Sequence, residues 1–133
     1  MINKTCIFMG GKQIGVECLR VLFSHNITPE IVIPNPDDTG LDSWHESLTK
    51  ETKKNKLRLQ TGAKLHDQEI IEIIRQIKPD IIFCIGGTQI VPAEILDIPK
   101  EGTVNLHPAL LPKYRGRLST AHPIFNGDKK TGV

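Results

Sequence analysis

The chain has 133 residues, of which 38% are hydrophobic, 24% charged and 5% aromatic, and its 17 Lys and Arg against 15 Asp and Glu leave a net charge of +2. That apolar fraction with so small a net charge excludes a disordered chain, no apolar run approaches the roughly 18 residues of a membrane helix, and the charge is no nucleic-acid footprint. One globular domain is expected. The opening Met1-Ile2-Asn3-Lys4-Thr5 lacks the long apolar core of a signal peptide, so the expected compartment is the cytoplasm. Cys6, Cys18 and Cys84 form no C-x-x-C pair, and two of them lie in apolar runs. They read as buried small hydrophobes rather than disulfide partners or metal ligands, and no metal is expected.

In chain order, Thr5–Met9 is a short apolar run closed by Gly10-Gly11 and predicts a buried strand. Ile14, Cys18, Leu19 and Leu22 recur at helical spacing. A second strand is expected over Glu30–Ile33, stopped by the loop signal Pro34-Asn35-Pro36-Asp37-Asp38. Residues 43–54 suit a polar helix, and Lys56–Leu59 a short edge strand. Ile70, Ile73, Ile74 and Ile77 then share one helical face, with His66 or Asp67 as the cap and Pro79 beyond its end. Asp80–Ile85, closed by Gly86-Gly87, predicts a central strand. A short helix runs from Pro92 through Leu96, a strand over Gly102–Leu106, and a last helix over Leu118–Asn126, ending at Gly127. Strands separated by crossover helices argue for an α/β fold, a Rossmann-like and mainly parallel sheet with helices on both faces. Ligands of such sheets lie beyond the carboxyl ends of the strands, which here means segments 10–15, 86–91 and 105–117.

The last segment carries the chemistry. Asn105 and His107 are two apart in extended backbone, so both side chains point to one side, and Pro108 favours that extended geometry. An amide donor beside an imidazole can hydrogen-bond an oxygen that gains charge, and the imidazole can move a proton near neutral pH. On residue types alone, a turn-capping Asn105 and a structural, half-buried His107 is the plainer reading. Gly86-Gly87-Thr88-Gln89-Ile90-Val91 is by itself an ordinary strand-to-helix turn. Its backbone amides are also suited to holding a flat heterocycle. Gly10-Gly11-Lys12-Gln13-Ile14-Gly15 matches neither G-x-G-x-x-G nor the P-loop spacing, though its amides suit an anion, and close helix packing through Gly15 explains it equally well. Lys113, Arg115 and Arg117 form a basic cluster that reads either as solvated surface or as a phosphate partner. Trp44 lies in a segment, 35–54, placed to cover the site as a flap.

The string Asn105-Leu106-His107-Pro108-Ala109-Leu110-Leu111-Pro112-Lys113-Tyr114-Arg115-Gly116-Arg117 resembles the signature of the formyltransferases that use 10-formyltetrahydrofolate. Ile7–Gly10, Lys78–Ile82, Ile90–Leu96, Gly102–Asn105 and Asn126–Val133 resemble the same family, so the likeness covers nearly the whole chain. It implies an acyl transfer in which an acceptor amine attacks a formyl carbon, with Asn105 and His107 stabilising the oxyanion and His107 moving a proton. It also implies a pterin pocket lined by Gly87, Thr88, Gln89, Ile90 and Val91, with Gly11, Lys12, Lys113, Arg115 and Arg117 toward a phosphate-bearing acceptor. The family's third catalytic residue is an aspartate in a D-x-G-x-D-T-G-like loop. It would lie farther on than the 26 residues that follow His107, and Asp128 sits at the wrong spacing for it. Residues 1–133 are therefore expected to be an incomplete catalytic domain, poorly active alone, with an exposed sheet edge open to self-association. A nucleotide-linked amino sugar is the expected acceptor, suggested by the likeness of the Lys113–Arg117 string to the sugar N-formyltransferases and by the short 34–45 loop, which looks less like that of the tRNA-directed enzyme. Methionyl-tRNA is the alternative and glycinamide ribonucleotide a third. A folate- or nucleotide-binding module without catalysis is the rival from another class.

Overall fold

The computed structural model describes residues 4–133, so Met1–Asn3, three of the five residues read for a signal peptide, lie outside the described residues. Four strands, β1 (Cys6–Gly10), β2 (Ile31–Pro34), β3 (Ile81–Ile85) and β4 (Thr103–Leu106), form one parallel sheet in the order β2-β1-β3-β4. The connections carry α1 (Lys12–Ser24), α2 (Leu48–Lys54), α3 (Gln68–Ile77) and α4 (Ala93–Leu96), and α5 (Ala121–Phe125) follows β4. The expected parallel sheet with helices on both faces is what forms.

The alternation of a strand explains the two cores. Ile7 and Met9 of β1 join Ile31, Ile33, Ile82, Ile70, Ile71 and Ile74 on the α3 face. Phe8 packs the opposite way, with Val16 and Leu19 of α1, Val32, Leu48 and Ile85. All five β1 residues are buried, because β1 is paired on both sides and covered on both faces. Each large side chain so buried is worth about 1.5–3 kcal/mol. Isoleucine is only a moderate helix former, so α3 is held by this packing more than by propensity. It stops where Lys78 turns left-handed (φ 52°) just before Pro79.

Three boundaries differ from the expectation. The 43–54 helix begins only at Leu48, because residues 38–49 wind around Asp38. Its carboxylate accepts bonds from the backbone N–H groups of Gly40 and Thr49 and from the Ser47 hydroxyl, while Ser47 caps the helix by accepting from the Lys50 N–H at 3.0 Å. The last helix begins at Ala121, since Leu118 takes a left-handed φ of 56°, outside the right-handed helical range. Segment 56–59 forms a single bridge, Leu59 to Val32, rather than a strand. His66 is exposed, and Asp67 is the first-residue cap of α3 without a side-chain bond.

The two sheet edges are unequal. Val32 N–H donates to the Arg58 carbonyl and Gln60 N–H to the Val32 carbonyl, which closes the β2 edge and leaves all of β2 buried. Val104 of β4, by contrast, is 47% exposed. Among the described residues no helix is long and apolar enough to cross a membrane.

Candidate active site

Two of the three strand-end segments that the sequence points to, 10–15 and 86–91, meet directly. Gly11 N–H donates to the Ile85 carbonyl at 2.9 Å, locking the turn after β1 onto the end of β3. That approach needs glycine. A Cβ on Gly10 (φ 124°) would lie 2.0 Å from the Ile85 oxygen, and one on Gly86 (φ 64°) would lie 2.3 Å from the Gly11 oxygen.

Asn35, in the loop after β2, completes the junction. Its amide nitrogen donates to the Gly86 carbonyl at 3.0 Å, and its amide oxygen accepts from the Thr88 N–H at 2.9 Å. One side chain, 7% exposed, therefore brackets the 86–88 turn with both halves of its amide. Gln89 is fixed as well, donating to the Ala63 carbonyl and accepting from the Leu65 N–H at 3.0 and 3.2 Å. A pocket opens here, lined by Met9, Asn35, Leu65, Cys84, Gly87 and Gln89 among others. Beyond it Ile90 is 83% exposed and Val91 half-buried. The backbone amides of Gln89, Ile90 and Val91 make no hydrogen bond among the described residues. The cavity itself is small, about 10 Å³, while the run of open amides beside it suits hydrogen bonding to the edge of a flat heterocycle.

Asn105 is paired with Cys84 and Leu106 with Ile85, so the alternation places Asn105 on the α3 face of the sheet. Asn105 is exposed and His107 half-buried, at the carboxyl end of β4. His107 Nε2 lies 2.8 Å from the Tyr114 carbonyl oxygen. A carbonyl only accepts, so Nε2 carries a proton and donates it. Nδ1 makes no hydrogen bond among the described residues and is the nitrogen left to exchange a proton.

Lys113, Arg115 and Arg117 are exposed, and neither they nor Lys12 pairs with a carboxylate among the described residues. A cleft of about 500 Å³ lies between Leu110–Tyr114 and Asp128–Thr131 and is lined by Lys113, Lys129 and Lys130. Trp44 covers nothing: it is 100% exposed. Its loop is tied to α1 instead, through Glu46 N–H on the Gln13 amide oxygen and the Arg20 ion pairs with Glu46 and Glu51.

Sequence reasoning missed Asn35, which looks like one more polar residue of a Pro-rich loop, and the role of Tyr114 against His107. It passed over Asp128 as a catalytic acid. In the fold Asp128 bonds the Tyr114 hydroxyl, not His107. Cys6 and Cys84 are buried as expected, whereas Cys18 is half-buried; burial pushes the Cys6 thiol up to about 11, helped by nearby Glu30, and burial raises Cys84 too. No cluster of metal-ligating side chains forms among the described residues.

Fold and site together define a Rossmann-like α/β domain with an amide–imidazole pair at a strand end. The chain belongs to the formyl transferase family, whose model matches residues 8–133. Methionyl-tRNA formyltransferase of Clostridioides difficile is 36% identical over 130 residues, which is 96% of this chain and 42% of that protein. The enzyme of the same name from Francisella philomiragia is 37% identical over 131 residues, again 96% and 42%. The chain thus spans about two-fifths of the length of these curated relatives. Among solved structures, an N-formyltransferase from Helicobacter canadensis, in complex with folinic acid and dTDP-3-aminofucose, superposes with a TM-score of 0.74 at 27% identity, over 96% of this chain and 44% of that one. Phosphoribosylglycinamide formyltransferase from Bacillus halodurans superposes at 0.73 with 15% identity, over 96% and 68%, a likeness of fold alone.

Proposed function

We propose that this chain forms the donor-binding and proton-transfer part of an enzyme that moves a formyl group from 10-formyltetrahydrofolate to the primary amine of a phosphate-bearing acceptor. The observation that carries the reading is the His107 imidazole, held through Nε2 with Nδ1 open, two residues beyond Asn105 at a strand's carboxyl end. Gly87–Val91 would hold the pterin through the open amides of 89–91. The donor supplies a formyl carbon activated by its bond to nitrogen. Nδ1 of His107 takes the proton that the attacking amine sheds, and returns it to the nitrogen that leaves. The Asn105 amide donates to the oxygen that gains charge in between.

Gly11, Lys12, Lys113, Arg115 and Arg117 form the proposed acceptor side, where arginine forks suit phosphate oxygens. A nucleotide-linked amino sugar is supported by the likeness to the Helicobacter canadensis enzyme. Methionyl-tRNA is supported by the likeness to the methionyl-tRNA formyltransferases, 36% identical for the Clostridioides difficile enzyme. The test is formyl transfer by the protein as expressed from its own gene, with methionyl-tRNA and a dTDP-linked amino sugar offered separately. Transfer to one identifies the acceptor. Binding of 5-formyltetrahydrofolate without transfer to any amine would replace the enzyme reading by a binding module.

A further inference from the structure

The carbonyl that meets His107 is not held by secondary structure. It belongs to Tyr114, in an irregular stretch between β4 and α5, and Tyr114 has a left-handed φ of 54°. A β-carbon disfavours that conformation, so the surroundings must enforce it. They do so through the side chain. The Tyr114 hydroxyl donates to Asp128 Oδ2 at 2.7 Å and accepts from the Asn126 amide nitrogen at 3.2 Å. Its ring lies parallel to that of His122, with planes 4° apart and centroids 6.1 Å apart.

We infer that Tyr114, anchored by Asp128, is a positioning residue that fixes the tautomer of His107. The anchored side chain orients its own carbonyl toward Nε2, which keeps the proton there and leaves Nδ1 free. Without the anchor the 112–116 turn relaxes, Nε2 loses its acceptor, and the two neutral tautomers become comparable. The catalytic consequence rests on the proposed formyl transfer; the tautomer itself does not.

The experiment is ¹⁵N NMR of the chain labelled at histidine, read at a pH where His107 is neutral. The unsubstituted protein should show a protonated Nε2 and an unprotonated Nδ1. Tyr114→Phe and Asp128→Ala should each shift both ring signals toward the tautomeric average, and Asp128→Asn, which keeps an acceptor oxygen, should restore them. A protonated Nδ1 in the unsubstituted protein overturns the inference without any variant having to fold. So do unchanged ring signals in Tyr114→Phe whose amide spectrum is otherwise native. In the protein as expressed from its own gene, Tyr114→Phe should lower kcat at least about tenfold, part of the about 10²–10⁴ that a positioned acid–base group contributes, with KM for the donor unchanged. If no amine is formylated yet the ring signals behave as described, the clamp stands and the assigned reaction falls.

Discussion

Replacing Asn35 by Ala removes a side chain that joins the loop after β2 to the turn after β3. Two hydrogen bonds go, at 3.0 and 2.9 Å, and the Gly86 carbonyl and Thr88 N–H lose their partners. An unpaired buried polar group costs about 1–3 kcal/mol, so two would cost about 2–6 kcal/mol if fully sealed from water. Gly86 and Thr88 are only half-buried, which places the expected loss near the lower end, about 2–3 kcal/mol. Urea unfolding should show it as a lower midpoint with an unchanged slope. The same change frees the 86–91 segment, so 5-formyltetrahydrofolate should bind at least about tenfold more weakly, as about 1.4 kcal/mol of pocket order is lost. Asn35→Asp should be no better than Ala, since a carboxylate accepts from Thr88 but faces the Gly86 carbonyl with no proton to give. A stability loss below about 0.5 kcal/mol, within the range of an ordinary surface change, with folate affinity unaltered, would refute the bracket.

Three further outcomes follow from the same structure. Gly10→Ala places a methyl 2.0 Å from the Ile85 oxygen; strain and the lost Gly11–Ile85 bond should cost about 2–4 kcal/mol, read by thermal or urea unfolding. Lys100 first, then the Thr5 N–H and hydroxyl, hold the Asp80 carboxyl at about 2, below its ordinary 3.8. Its pKa is depressed in the fold, so its contribution to stability is full above about pH 4 and lost as pH falls toward 2; Asp80→Asn should flatten that part of the acid-unfolding curve while leaving folate binding alone. Burial raises all three thiols, so access decides: buried Cys6 and Cys84 should react with a thiol reagent at neutral pH only as fast as the protein opens, whereas half-buried Cys18 reacts first; equal rates for all three would contradict the packing.

What the sequence made legible follows from where the signals are local. β1 and β3 are apolar runs ended by glycine, β2 is one stopped by a proline-bearing loop, and α3 carries an isoleucine stripe, so local pattern alone places them. Asn105 and His107 stand out in the sequence as two residues apart at a strand end, inside a string that resembles a family signature, and the structure places Asn105 in β4 and His107 just beyond it. The polar start of α2 was not legible, because Asp38 organises that loop through side-chain bonds that no periodicity reports. Asn35 was invisible for a different reason: its partners Gly86 and Thr88 are 51 and 53 residues away. Tyr114 stood in the recognised string, yet its part depends on a main-chain carbonyl and on Asp128, 14 residues on.

The most direct test is formyl transfer from 10-formyltetrahydrofolate by the protein as expressed from its own gene, compared with His107→Ala, with 5-formyltetrahydrofolate binding measured on both. Loss of the proposed proton-transfer group should lower the rate by about 10²–10⁴ while folate affinity stays within about twofold, since the proposed pterin segment follows β3 and His107 follows β4. A variant that keeps most of its rate would show that His107 does not carry the proton, and would leave Asn105 and His107 as ordinary residues of a parallel α/β domain.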